Sequence, residues 1–147
     1  MGTGIRGIVV CKDYCDLLRI TLPLNMKHLD ECVVVTSPDD TETKEFCATI
    51  PNVRVFETDA FTRFGKQFFC KGLALEEGFD FLGRHGWILI WDADIIFPGD
   101  MSDQVKVENL NPCMMYGAPR LILKDPSKWT PDYDWNTAKR IHCTALG

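Results

Sequence analysis

No apolar run in this 147-residue chain is long enough to cross a membrane. The opening residues, MGTGIRGIVVC, lack a charged stretch followed by a long apolar one, so no secretory leader is expected there. Met1-Gly2 does not extend into an acylation motif, because Arg6 stands where that motif takes Ser or Thr. The chain has no CxxC pair, no internal repeat and no low-complexity tract. Its seven cysteines are odd in number and several sit in apolar runs, Cys32 among them, so free thiols in a reducing, cytoplasmic compartment are expected in place of a disulfide framework. There is also no basic excess: 16 basic against 21 acidic residues give a net charge of −5, which argues against a nucleic-acid partner. A negatively charged small ligand stays open, since a metal ion can carry the local positive charge.

What is present is an ordinary globular composition, 46% hydrophobic and 25% charged, in a length that suits a single domain. Residues 5–11 are apolar and β-branched, as in a parallel strand buried on both faces. Asp13 is placed to cap a helix whose stripe is Tyr14, Leu17, Leu18, Thr21 and Leu22, with Pro23 expected to kink or end it. A second buried strand follows at 32–36. Asp39 and Glu42 have capping-box spacing for a short helix ending near Thr49. Pro51-Asn52 reads as a turn before a third strand at 53–57. After a loop at 59–65, Phe68, Gly72, Leu75, Phe79 and Leu82 share a helical stripe that stops near Gly83. The fourth strand, WILIW at 87–91, is the most apolar. The alternation predicts an α/β fold, a Rossmann-like, mostly parallel sheet with helices on both faces. Short strands are expected at 114–118 and 121–123 around Pro119, then a loop-rich segment.

The fourth strand runs directly into Asp92-Ala93-Asp94. Ligands of open α/β sheets bind beyond the carboxyl ends of the strands. Two carboxylates at i and i+2 on extended backbone point the same way, which is costly unless a cation neutralises them. Mg²⁺ or Mn²⁺ suits such oxygen ligands and bridges to phosphate. The plainer alternative is a pair of acids capping a turn. Phosphatases of the haloacid-dehalogenase type need DxDxT on the first strand; here Ile96 follows, and the motif is on the fourth.

The string WILIWDADIIFPGDM, with the order of elements before it, resembles GT-A-fold glycosyltransferases, especially those of family 2, over residues 7–101. The resemblance implies a GT-A nucleotide-diphospho-sugar transferase fold. It implies a metal-dependent transfer of a sugar from a nucleotide-diphosphate sugar to an acceptor hydroxyl, with inversion favoured. By carry-over, Asp94 is the metal ligand, and Asp92 contacts metal or ribose. Lys71, in Cys70-Lys71-Gly72, takes the place of the family's basic residue near the donor phosphates, with Lys66 a weaker candidate; a solvated helix lysine is the plain alternative for Lys71. Cys11, Lys12 and Asp39 stand at the strand ends that hold base and ribose. Thr36-Ser37 replaces the acidic pair found there in the family, which leaves the nucleotide open. Asp132 and Asp134 are the candidates for catalytic base, His142 for a third metal ligand, and Trp129 and Trp135 for sugar stacking; a solvated loop, a structural histidine and core packing are the alternatives. The chain is read as one domain, 1–147, with a donor-binding core at 1–101 and the start of an acceptor-side region at 102–147. That region is expected to be incomplete, so that this piece transfers poorly. Competing readings are a non-catalytic nucleotide-sugar-binding module, a structural α/β domain, or a sugar-phosphate nucleotidyltransferase of the same fold. The last should carry a Gly-rich loop after the first strand, whereas Gly2-Thr3-Gly4 precedes it.

Overall fold

The computed structural model describes residues 4–65, 69–123, 130, 133–134 and 139–141. The chain divides into two compact units, Met1–Asn109 and Leu110–Gly147. The first unit holds four strands, β1 (Ile5–Val10), β2 (Glu31–Thr36), β3 (Val53–Glu57) and β4 (Trp87–Asp92). The helices between them are α1 (Cys15–Asn25), α2 (Thr41–Cys47) and α3 (Lys71–Leu82). A short α4 (Met101–Gln104) follows. All strand pairs are parallel and the order is β3-β2-β1-β4, the Rossmann-like α/β sheet expected. The second unit contains β5 (Arg120–Ile122) paired antiparallel with β6 (Lys139–Ile141). Residues 114–118 form no strand, and Met115 is exposed; the apolar character that suggested a strand there belongs to a surface segment.

Strand alternation sends side chains to two cores. Val9, Cys11, Cys32 and Val34 pack with Leu18 and Leu22 of α1 and with Cys47 of α2. Ile8, Val10, Val33 and Val35 pack with Ala74 and Leu82 of α3. Helices therefore cover both faces. β1 and β2 are interior, and Val33, Val34 and Val35 are fully buried. β4 ends the strand order, so Ile90 is 48% exposed in the most apolar strand of the chain.

Local details depart from the sequence reading where side chains choose partners that spacing does not reveal. Tyr14, not Asp13, is the residue before α1, and it is exposed. The stripe runs through Cys15, Leu18, Thr21, Leu22 and Asn25. The helix continues through Pro23 to Asn25 and tightens into a 3-10 turn at Met26–His28. Asp40, not Asp39, caps α2, accepting from the Thr43 N–H at 3.1 Å. In α3 the buried stripe is Ala74, Gly78 and Leu82, while Gly72 faces open space. Gly78 lets α3 lie close on the sheet: a Cβ there would meet Val35 Cγ2 at 2.5 Å and Ile8 Cδ1 at 2.8 Å. Phe68 lies outside the described residues.

Candidate functional site

The chain builds β1, β2 and β3 to one side and then places β4 on the other side of β1. This reversal makes the carboxyl ends of β1 and β4 the switch point of the sheet, the place where open parallel sheets bind ligands. The register pairs Val10 with Asp92, so Cys11-Lys12-Asp13 and Asp92-Ala93-Asp94 emerge at the same edge. The sequence places both segments at strand ends; the register makes them neighbours.

Asp92 is the last residue of β4, and Ala93 and Asp94 lie in a turn closed by the Ile95 N–H on the Asp92 carbonyl at 2.9 Å. The two carboxylates are thus not related by strand alternation, contrary to the extended geometry expected. Asp92 is half-exposed and pairs with the ammonium of Lys71, the first residue of α3. Asp94 is exposed. The fold therefore brings Lys71 to the acidic turn from 21 residues away in sequence.

The segment after the turn is fastened to α1 by residues that the sequence reading missed or assigned to packing. The Thr21 hydroxyl donates to the Ala93 carbonyl at 2.7 Å. The Asn25 amide donates to the Ile95 carbonyl at 2.9 Å and accepts from the Phe97 N–H at 2.9 Å. His28 Nδ1 lies 2.5 Å from the Ser102 hydroxyl. Trp91 packs edge-on against Phe97, and its ring occupies the space over Gly7 that a side chain there would fill. The available signal was a polar residue at i and i+4, Thr21 and Asn25, within an apolar helical stripe.

At the ends of β1 and β2, Lys12 Nζ lies 3.0 Å from Ser37 Oγ, 3.4 Å from Asp39 Oδ1 and 3.5 Å from Asp13 Oδ2. The Ser37 hydroxyl, Asp39's own N–H and then the Lys12 charge hold the exposed Asp39 carboxyl below its ordinary value. Asp13 has φ of 60°, and its N–H donates to Asp40 Oδ2 at 3.1 Å. Asp40 also accepts from the Thr36 hydroxyl at 2.9 Å, which locks the two loops together. Cys11 is buried, and burial pushes its thiol up to about 11, so it is a neutral core group whose side chain is withdrawn from the edge. An open cleft of about 500 Å³ lies here, lined by Asp13, Cys15, Asp16, Asp39, Asp40, Thr41 and Glu42. Its carboxylates suit hydroxyl groups, such as those of a ribose, and repel phosphate.

Asp134 is exposed in the second unit. Asp132, His142, Lys66, Trp129 and Trp135 lie outside the described residues. Among the described residues no group of three or more His, Cys, Asp or Glu side chains is arranged to hold a metal ion. Among them, too, no helix is long and apolar enough to cross a membrane. The described cysteines are free thiols. In comparisons with protein-family models, curated proteins and solved structures, the chain matches none.

Proposed function

We propose that this chain is the donor-binding part of a metal-dependent glycosyltransferase that takes a nucleotide-diphosphate sugar and passes the sugar to an acceptor hydroxyl. The observation that carries this reading is the ion pair of Lys71 with Asp92 at the carboxyl end of β4, with Asp94 two residues on in the same turn. A cation beside two carboxylates at a strand terminus matches the needs of a diphosphate. Lys71 offers a point charge to phosphate oxygens, and the carboxylates offer hard oxygen donors to Mg²⁺ or Mn²⁺. Such an ion is held by one or two carboxylates, with substrate phosphates and water completing its shell, so the exposed Asp94 would hold it, joined by Asp92 once Lys71 turns to phosphate. When bound, the ion supplies neutralisation of the charge that develops on the departing diphosphate.

The remaining roles belong to the chain's own groups. Lys71 exchanges Asp92 for phosphate when donor and metal arrive. The acidic cleft beside Lys12 accepts the ribose hydroxyls, with Asp39 the exposed acceptor. Asp132 and Asp134 remain the candidates for removing the acceptor's proton.

The test is calorimetry with a panel of nucleoside diphosphates, with and without Mn²⁺, on the wild type and on Asp94→Ala. Metal-dependent binding that disappears in the variant is the expected result, and the preferred base names the donor class. A folded wild type that binds none of them defeats the reading. Binding of the intact sugar nucleotide without release of nucleoside diphosphate identifies a non-catalytic module.

A further inference from the structure

Resting on that reading of the acidic turn, we infer that Thr21 and Asn25 of α1 are positioning residues that set the geometry of Asp92 and Asp94 for the metal. Both lie on the apolar face of α1 and are buried, Asn25 completely. Burying a hydroxyl and an amide is unfavourable unless their hydrogen bonds are made. Theirs go to one target, the main chain of the segment that carries the acidic turn. Thr21 takes the carbonyl of Ala93, the residue between the two aspartates. Asn25 takes the carbonyl of Ile95 and the N–H of Phe97, using both ends of its amide. Together they fix main-chain groups at alternate positions, 93, 95 and 97, to the rigid face of a helix. Valine at 21 and leucine at 25 would fill nearly the same core space and leave the turn without an anchor. Second-layer partners of this kind orient metal ligands, and their loss typically weakens metal affinity about 10–100-fold.

The experiment titrates Mn²⁺ alone and follows the free-ion signal by electron paramagnetic resonance. Thr21→Val removes the hydroxyl at nearly constant shape, and Thr21→Ser restores it. The expected result is Mn²⁺ binding weakened at least about tenfold in Thr21→Val, recovered in Thr21→Ser, and absent in Asp94→Ala. Amide exchange provides a second readout: Asn25→Leu should expose the Phe97 N–H while the β1 and β2 amides keep their protection. Packing alone would lower the melting temperature and leave the affinity of the folded protein unchanged. Mn²⁺ affinity in folded Thr21→Val equal to wild type overturns the inference and spares the metal site. A wild type that binds no Mn²⁺, either alone or with a nucleoside diphosphate present, overturns both.

Discussion

The ammonium of Lys71 and the carboxylate of Asp92 form an ion pair that ties the first residue of α3 to the last residue of β4. Both side chains are more than a third exposed, at 39% and 38%. A pair this wet contributes little to stability, about 1 kcal/mol at most. Lys71→Met should therefore shift the urea midpoint only slightly. Its effect should appear in binding: affinity for nucleoside diphosphate with Mn²⁺ should fall roughly tenfold, about 1.4 kcal/mol, and the remaining binding should respond less to salt. Unchanged affinity would return Lys71 to the role of a solvated helix lysine.

Asp39 and Asp40 are adjacent in sequence and opposite in role. Asp40 caps α2 and also accepts from the Thr36 hydroxyl and the Asp13 N–H, so Asp40→Ala removes a helix cap and leaves buried donors unpaired. The loss should be about 2–3 kcal/mol in urea unfolding, the cap contributing about 1 and the orphaned donors the rest. Asp39→Ala should stay close to wild type in stability. Burial opposes ionisation of Asp40, but the hydrogen bonds from Thr43, Asp13 and Thr36 outweigh it and hold the carboxyl below its ordinary 3.8. The stabilisation is thus present above pH 3.8 and drains away as pH falls through the lower folded value.

Two glycines of α3 should respond differently to alanine. At Gly78 the new methyl would stand 2.5 Å from Val35 Cγ2 and 2.8 Å from Ile8 Cδ1. Helix propensity favours alanine by about 1 kcal/mol, but overpacking a filled core typically costs about 1–3. Gly78→Ala should thus be neutral to clearly destabilising. A methyl at Gly72 would have no neighbouring heavy atom within 4 Å, so Gly72→Ala should gain up to about 1 kcal/mol. Thermal melts of the two variants test the placement of α3 on the sheet.

The frame of this fold was legible because its strands are short apolar runs separated by helix periodicity. Val53–Glu57 is the expected third strand to the residue, and WILIW the expected fourth. Partner choice was not legible. Asp39 and Asp40 both suit an N-cap, and only the loop geometry that brings Asp13 and Thr36 to Asp40 selects between them. Periodicity found the α1 stripe, yet it gave no sign that Thr21 and Asn25 bond to a segment about 70 residues on. The acidic turn was found from its place after an apolar strand, while its main-chain bend at Ala93-Asp94 depends on the Asp92–Ile95 turn and the α1 contacts.

His28 closes the far end of the fastening between α1 and the acidic segment, with Nδ1 on Ser102 and its ring 6.4 Å from that of Phe97. Burial, then the charge of Lys27, lowers its pKa below 6.5, while Asp100 and Asp103 pull weakly the other way. A base with a depressed folded pKa binds protons more readily when unfolded, so stability rises with pH across the gap. His28 should therefore leave the protein most stable above about pH 6.5, and stability should decline from there down to the lower folded value. Comparing urea midpoints at about pH 7.5 and about pH 5.5, on either side of the ordinary histidine value, should reveal this slope in the wild type and a smaller one in His28→Gln. The same protonation puts a second positive charge beside Lys27 in a partly buried site, so amides of residues 101–104 should exchange faster at the lower pH than intrinsic rates explain. The strand amides of β1 and β2 should not. A slope that persists in His28→Gln would assign the pH response to the carboxylates of the neighbouring loops.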